Sequence, residues 1–359
     1  SAVKRQSTAR WLDRPYLITE FGFVFWNRFR HEQGLVYAAC AALQNWNGVA
    51  CHCNQAVLYG DPLASFMVGV DPVGRASELV TAMGFLRRDI ETSPHTIEIP
   101  VSRKFAFDGR AMGAIPDEIS RMWIWSKVGI SFDGRRRAPV RADLTVSPDG
   151  VAQSGGGDMF EEILATGETS RRICAILKKK GILGRENRSD PARGIFESDT
   201  AQVYMDVNRA EMTVKTPRLE GAVVKQDRPV VLGALSVLGC SVPASVTVVS
   251  LEKEATLATA KRLLAVIATD ARNSGMKFSD ANETVLEEIG SLPALVRTGK
   301  FRLAIARPDG ERFRAYALKL NGERASELPV KNEAGRLVLD IDTAALPDGP
   351  AVFFELIHQ

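Results

Sequence analysis

The spacing of apolar residues changes near Asp89, and no other feature of the sequence constrains the fold as strongly. Before this point two strand-like segments, 16–19 and 44–51, alternate with two helix-like segments, 32–43 and 77–87. After it, apolar and polar residues alternate with a period of two in short segments, at 96–101, 140–147, 201–207, 211–216, 244–251, 301–306 and 351–357. Strand–helix alternation indicates a parallel sheet covered by helices, whereas period-two segments separated by turns are typical of a β-sandwich.

The sequence therefore predicts α/β structure followed by all-β structure. We expect an α/β part at 1–88 and a β-sandwich region at 89–359, with subdomains at about 89–195 and 196–359. Two helical inserts, 116–128 and 159–180, interrupt the sandwich pattern. Two strand–helix units cannot bury a parallel sheet by themselves, because each strand needs neighbours on both sides.

Composition narrows the function classes. The 359 residues are 45% apolar and 25% charged, with a formal net charge of +3, which is too small to indicate nucleic acid or an anionic membrane as a partner. Basic runs at 135–137 and 178–180 contain no aromatic residues, so they lack the rings on which bases stack. No segment approaches the roughly 20 continuous apolar residues of a membrane span. Residues 1–6 contain no apolar core of an export signal, so none is expected in this form of the chain.

The cysteines do not indicate a disulfide framework or a metal site. Five cysteines at 40, 51, 53, 174 and 240 are odd in number and irregularly spaced. The run Cys51-His52-Cys53 contains residue types that bind metal ions. Consecutive strand residues, however, point to alternate faces and cannot close a tetrahedral site. No phosphate-binding loop or dinucleotide fingerprint occurs, and the glycines at 155–157 read as a flexible link. We therefore expect no cofactor and no metal.

Glu20 is the candidate catalytic residue. It ends the apolar strand that begins near Tyr16, and Gly22 follows it closely. Barrel enzymes carry their catalytic groups at the C-terminal ends of their strands. A retaining glycoside hydrolase needs one carboxylate as nucleophile and a second carboxyl group as proton donor. A lone glutamate at a strand end is otherwise an ordinary charged residue.

The residues around Glu20 favour a sugar site over that ordinary interpretation. Candidate sugar-binding residues follow both strands: Trp26, Asn27, Arg28, Trp46, Asn47 and His52. An indole stacks on the apolar face of a sugar, while amides, imidazoles and guanidinium groups bind its hydroxyls. Arg28 and Arg30 together hint at an acidic or modified glycan. The same residues are also consistent with an aromatic core and a loop.

Three segments resemble a known enzyme group. Thr19–Gly22, Trp26–Glu32 and Ala41–Gly48 are similar to the seventh and eighth strands of clan-A glycoside hydrolases, the retaining (β/α)8-barrel enzymes related to cellulases and β-galactosidases. The resemblance covers about the first quarter of the chain. It implies that residues 1–88 are the last two βα units of a TIM-type barrel, that Glu20 is the nucleophile, and that Trp46 forms the floor of the cleavage subsite. A looser similarity at 198–200 and 213–218 implies the β-sandwich that follows the barrel in some bacterial members.

One departure from this pattern is large. The acid/base of the clan is a glutamate preceded by asparagine at the end of strand four, but the only Asn-Glu pairs here are 282–283 and 332–333, far downstream. Strands one to six are also missing. The resemblance therefore implies a secreted or periplasmic glycoside hydrolase that degrades a β-linked carbohydrate and takes its acid/base from a second polypeptide carrying the rest of the barrel. A fragment of a longer enzyme is an alternative. Another is a non-catalytic carbohydrate-binding or structural β-sandwich protein with a barrel remnant.

Overall fold

A computed structural model describes residues 2–51, 71–107, 115–132, 141–149 and 167–359. The chain consists of two compact units. The first unit comprises residues 1–19, 39–50 and 90–212, and the second comprises residues 20–38, 51–89 and 213–359. The chain passes from the second unit to the first between residues 89 and 90, next to the boundary predicted after residue 88. Residues 1–88, which were predicted to form one domain, contribute to both units.

The N-terminal elements follow the predicted strand–helix order. They are α1 Ala2–Ser7, β1 Leu17–Phe21, a 3₁₀ turn Arg30–Glu32, α2 Gln33–Leu43, β2 Gly48–Cys51, α3 Pro72–Thr81 and a π-helical turn Ala82–Leu86. Strands β1 and β2 pair with each other in a two-stranded sheet. With two strands in this sheet among the described residues, the barrel itself stays a prediction.

Helix α2 forms from an alanine- and leucine-rich segment, and almost all of its residues are buried. A helix that is apolar on all sides is expected in a protein interior. Gly34 is required there, because a Cβ atom at this position would lie 2.6 Å from the Cα atom of Ser77 in α3. Helix α2 is followed by Asn45 at a φ of 51°, a left-handed conformation that asparagine tolerates at helix ends.

A parallel sheet corrects part of the predicted sandwich. It contains β3 Thr96–Val101, β4 Lys127–Phe132 and β5 Leu144–Thr145, in the order β4-β3-β5, and both pairs are parallel. The alternation of apolar and polar residues in β3 wrongly predicts a sandwich strand with one side in solvent, because its polar residues are buried too. Glu98 is only 3% exposed and accepts hydrogen bonds from Ser131 Oγ at 2.6 Å and Thr145 Oγ1 at 3.2 Å. The polar face therefore faces protein and not solvent.

The two helical inserts differ from their predicted bounds. In the first, α5 Asp117–Ser120 and a 3₁₀ turn Arg121–Ile124 end before β4, so the prediction of helix to residue 128 is wrong at its end. Lys127 and Val128 instead pair with β3. Helix α4 Arg103–Ala106 precedes this insert, and α6 Glu168–Lys179 corresponds to the second. Residues 159–166 of the second insert lie outside the described residues.

The remaining strands form large antiparallel sheets, which confirms the all-β part of the prediction for the C-terminal half. They are β6 Ile195–Glu197, β7 Val203–Asp206, β8 Glu211–Lys215, β9 Leu219–Val224, β10 Val230–Val231, β11 Leu235–Cys240, β12 Ala244–Ser250, β13 Arg262–Ala268, β14 Ala271–Ser274, β15 Lys277–Phe278, β16 Leu286–Glu288, β17 Ser291–Val296, β18 Lys300–Ile305, β19 Phe313–Leu318, β20 Arg324–Leu328, β21 Lys331–Glu333, β22 Arg336–Asp342 and β23 Phe353–His358. Short 3₁₀ turns lie at Pro191–Arg193 and Gly310–Arg312. One sheet has nine strands in the order β20-β19-β23-β13-β12-β9-β8-β7-β6, and another has five in the order β10-β11-β18-β22-β21.

A continuous apolar core makes the second unit sandwich-like. Val246 and Ile267 of the nine-stranded sheet belong to the same buried cluster as Leu303 and Leu339 of the five-stranded sheet. Strands β14 to β17 leave this body as two small hairpin sheets, β14-β17 and β15-β16. We call residues 271–296 the ribbon. In the described part of the chain no helix is long and apolar enough to cross a bilayer, and the four described cysteines form no disulfide bond.

Candidate functional site

Glu20 lies near the end of β1 with its side chain exposed. Its neighbours Ile18 and Phe21 are buried, and the Phe21 ring lies 4.3 Å from that of Tyr37. Gly22 follows with a φ of 148°, a conformation that favours glycine. A Cβ atom at Gly22 would still have space, since the nearest atom, Sγ of Cys51, would be 4.0 Å away, so the backbone angle is what requires glycine there. The strand thus ends abruptly just beyond an exposed carboxylate.

Residues 22–32, which we call the site loop, are shaped by hydrogen bonds within the loop and to the start of α2. The Phe23 N–H donates to Oε1 of Gln33 at 2.6 Å, and the Asn27 N–H donates to the Val24 carbonyl at 2.9 Å. Oδ1 of Asn27 accepts from the Phe29 N–H at 2.9 Å. The predicted sugar-binding amide of Asn27 therefore uses its acceptor to fold the loop, and its NH₂ group is the part left for a ligand.

A buried ion pair anchors the site loop. Arg30 is 2% exposed and Asp71 is fully buried; Nη2 of Arg30 donates to Oδ1 of Asp71 at 3.0 Å, and Nη1 lies 2.5 Å from Oδ2. The Arg30 guanidinium also lies 4.6 Å from the centre of the buried Phe25 ring. Asp71 in turn caps α3 by accepting from the N–H groups of Val73 and Gly74. Arg30 is thus committed to the interior and is not a ligand for a glycan.

Arg28 has the opposite environment. It is exposed, its guanidinium lies 4.9 Å from the centre of the Phe29 ring, and its Nη1 donates to Oδ1 of Asn282 at 3.3 Å. Trp26 is partly exposed. The loop therefore carries an indole, an amide and a guanidinium group in the stretch of chain that directly follows Glu20.

Trp46 and Asn47 belong to the first unit. Trp46 is 1% exposed, and its ring meets that of Tyr16 edge-on at 5.7 Å. Oδ1 of Asn47 accepts from the Tyr16 N–H at 2.8 Å. Trp46 packs in the interior in this structure, so its role as the floor of a sugar subsite stays a prediction. His52 lies outside the described residues.

Two titratable residues at the end of the site loop have shifted pKa values. Burial lowers the pKa of His31 to about 4, and the positive charges of Arg297 and Arg30 act in the same direction. Burial raises the pKa of Glu32 to about 7, against the opposing influence of Lys225. His31 also lines a cavity of about 10 Å³ with Ser77 and Thr247. A cavity of this size holds about one water molecule and is too small for a sugar.

A second polar cluster lies in the first unit. Oδ2 of the buried Asp199 carboxylate accepts from Ser93 Oγ at 2.6 Å and Ser126 Oγ at 2.9 Å, and it lies 3.1 Å from Nδ1 of His95. Burial raises the pKa of Asp199, while these hydrogen bonds oppose that rise. The cluster lies where β3 and β4 begin. In (β/α)8 barrels, residues at this end of the strands usually serve stability.

Sequence reasoning could not have found two of these contacts. Asn282 is separated from Arg28 by 254 positions, and Asp199 from His95 by 104. No periodicity or motif joins residues so far apart. Among the described residues, no group of three or more His, Cys, Asp or Glu side chains is arranged to hold a metal ion.

No protein-family model matches the sequence, and no curated protein matches it either.

Proposed function

We propose that this chain is the C-terminal part of a retaining glycoside hydrolase that acts on a β-linked poly- or oligosaccharide. The observation that carries the proposal is the exposed Glu20 carboxylate near the end of β1, followed by a site loop with its own internal hydrogen bonds. Catalytic groups need to be held by rigid support, and the Arg30–Asp71 pair supplies such support beneath the loop.

In this proposal Glu20 is the nucleophile. Its carboxylate attacks the anomeric carbon, the glycosidic bond to the leaving oxygen breaks, and a glycosyl ester forms. A carboxylic acid from the remainder of the barrel, on a second polypeptide, protonates the leaving oxygen and then activates the water that hydrolyses the ester. Trp26 stacks on a sugar ring, while the NH₂ group of Asn27 and the guanidinium group of Arg28 bind polar substituents. A secreted or periplasmic location suits an enzyme that acts on polysaccharides.

Replacement of Glu20 tests this assignment. In a preparation that contains the complete barrel, Glu20→Gln should lower turnover of an activated aryl β-glycoside at least about 1,000-fold, since it removes the nucleophile, and leave substrate binding nearly unchanged. Glu254→Gln is the matched control, because Glu254 is 86% exposed. Normal turnover by the Glu20 variant would remove Glu20 from the mechanism.

The partner polypeptide can be tested separately. Intact-mass measurement and sequencing of every component in the purified sample should reveal a second chain that supplies the missing strands and a glutamate near Glu20. A monodisperse, fully folded sample that contains only this polypeptide would contradict the two-chain arrangement. It would favour the non-catalytic carbohydrate-binding or structural alternative.

A further inference from the structure

Among the described residues, a hydrogen bond between two side chains joins the ribbon to the site loop. Asn282 lies at the tip of the ribbon and Arg28 in the site loop; both side chains are exposed, and Nη1 of Arg28 lies 3.3 Å from Oδ1 of Asn282. A guanidinium group can only donate, so the amide must present its oxygen to Arg28. The orientation of the Asn282 amide is thereby fixed.

This contact leaves a surface with more donors than acceptors. The single acceptor atom of the pair, Oδ1 of Asn282, already accepts from Arg28 and keeps one lone pair. What the pair still offers is the NH₂ group of Asn282 and the other N–H groups of the Arg28 guanidinium. A neutral sugar hydroxyl both donates and accepts, whereas a carboxylate or sulfate accepts only. The pair is therefore complementary to an anionic group.

Two acidic residues of the ribbon tip, Asp280 and Glu283, make defined contacts within the ribbon. Glu283 follows Asn282, and its Oε2 lies 2.5 Å from Nη2 of Arg272. Asp280 accepts from the Thr284 N–H at 2.8 Å and the Thr284 hydroxyl at 2.6 Å, which folds the ribbon tip into a defined turn. The Arg272 contact offsets the charge of Glu283. The Asp280 carboxylate keeps its negative charge, because its hydrogen bonds to Thr284 lower its pKa, and the turn that it forms holds Asn282 in place.

The base of the ribbon is fixed in the same way. Arg272 lies 3.3 Å from Asp270 and 5.1 Å from the centre of the Phe278 ring, while Oδ1 of Asp270 accepts from the Ala271 N–H. The ribbon is thus joined to the body at Asp270 and to the site loop at its tip. It is built to bring a side chain from the sandwich-like body to the loop that follows Glu20.

We propose that Arg28 and Asn282 form a subsite for an anionic substituent, a carboxylate or a sulfate ester, on the carbohydrate that the site loop binds. This subsite rests on the proposed function, because it assumes that the loop binds a sugar. Arg28 makes the charged contact. Asn282 donates one hydrogen bond to the anion and keeps the guanidinium group in position.

The test is direct binding to the full chain by titration calorimetry at low salt. Three β-linked tetrasaccharides of one backbone serve as probes: the neutral form, the form oxidised to uronic acids, and the 6-O-sulfated form. We expect at least one charged form to bind about 5-fold or more tighter than the neutral form, and the charged form that binds better identifies the substituent. Arg28→Ala and Asn282→Ala should each abolish this preference, and raised salt should weaken it.

Asn282→Asp and Arg312→Ala complete the design. Asn282→Asp replaces the NH₂ group with a carboxylate oxygen, whose negative charge repels the anionic substituent of the probe. Charged probes should therefore bind no better than the neutral one. Arg312 is an exposed arginine of the same unit, and its loss should leave all three affinities unchanged.

The failures of the two proposals are distinguishable. Equal binding of all three tetrasaccharides, or a charge preference that survives Arg28→Ala, would overturn the anionic subsite and leave the sugar site standing. Absence of binding by every probe would contradict the sugar site and the subsite together.

Discussion

Two buried carboxylates organise two different regions of this molecule. Asp71 in the second unit and Asp199 in the first are both buried and both accept hydrogen bonds from more than one segment of chain. The surroundings differ. Asp71 holds a loop whose outer side exposes Arg28, whereas Asp199 gathers two serines and a histidine at the start of a parallel sheet. A buried acid is thus a structural support in both places, and the groups it leaves exposed decide whether a ligand can bind.

The largest expected effect comes from removal of the Asp71 carboxylate. Asp71→Ala leaves the buried Arg30 without its counter-ion, so we expect a loss of about 3–5 kcal/mol in the free energy of unfolding. Urea denaturation followed by fluorescence measures it. The control is Arg75→Ala, which breaks a partly exposed pair with Glu78 and should cost at most about 1 kcal/mol. Similar losses for both variants would show that Asp71 is not the anchor of the site loop.

The pH dependence separates two neighbouring groups. The unfolded chain protonates His31 near pH 6.5 and the folded chain only near pH 4, so its contribution to stability is full above pH 6.5 and is lost as the pH falls toward 4. Glu32 has the opposite effect on stability. Its pKa rises from 4.5 in the unfolded chain to about 7 in the folded chain, so its contribution to stability is present below pH 4.5 and is lost as the pH rises through 7.

Single variants should therefore reveal opposite slopes between pH 4.5 and 6.5. The reference is the double variant with His31→Gln and Glu32→Gln, in which neither group titrates. Relative to it, the free energy of unfolding of Glu32→Gln should rise by about 2–3 kcal/mol as the pH rises, because His31 is then the titrating group that remains. His31→Gln should lose a similar amount over this interval. Urea denaturation at several pH values measures both slopes. Parallel profiles for the two single variants would contradict the burial of these side chains at the end of the site loop.

The cluster around Asp199 should give a smaller effect. Asp199→Ala removes the acceptor shared by Ser93 and Ser126, and we expect a loss of about 1–3 kcal/mol in the free energy of unfolding. Asp149→Ala, which changes an exposed residue of the first unit, should change it by less than about 0.5 kcal/mol. A loss from Asp199→Ala as small as that of the control would mean that this cluster does not support the fold.

The sequence revealed the local elements and missed the long-range contacts. Helix α2 is predictable because its segment is rich in alanine, a strong helix former, and β1 because an apolar run ends at Glu20. Strand β3 misleads because Glu98 is buried among hydroxyl groups, so its alternation does not mark a solvent-facing side. In the candidate site, Arg28 and Arg30 look equivalent in sequence, yet one is exposed and the other buried. Only the fold, which brings Asp71 to Arg30 and Asn282 to Arg28, distinguishes them.

In the proposed mechanism Glu20 attacks an anomeric carbon, and covalent trapping of the glycosyl ester shows whether it does. An activated 2-deoxy-2-fluoro β-glycoside should lose its leaving group and stay attached to the Glu20 carboxylate as a glycosyl ester, because the fluorine slows hydrolysis of the intermediate. Mass spectrometry of peptides from the complete enzyme should then find one sugar on the peptide that contains Glu20, equally in Glu254→Gln and not in Glu20→Gln. A sugar on any other residue, or full turnover by Glu20→Gln, would show that Glu20 is not the nucleophile.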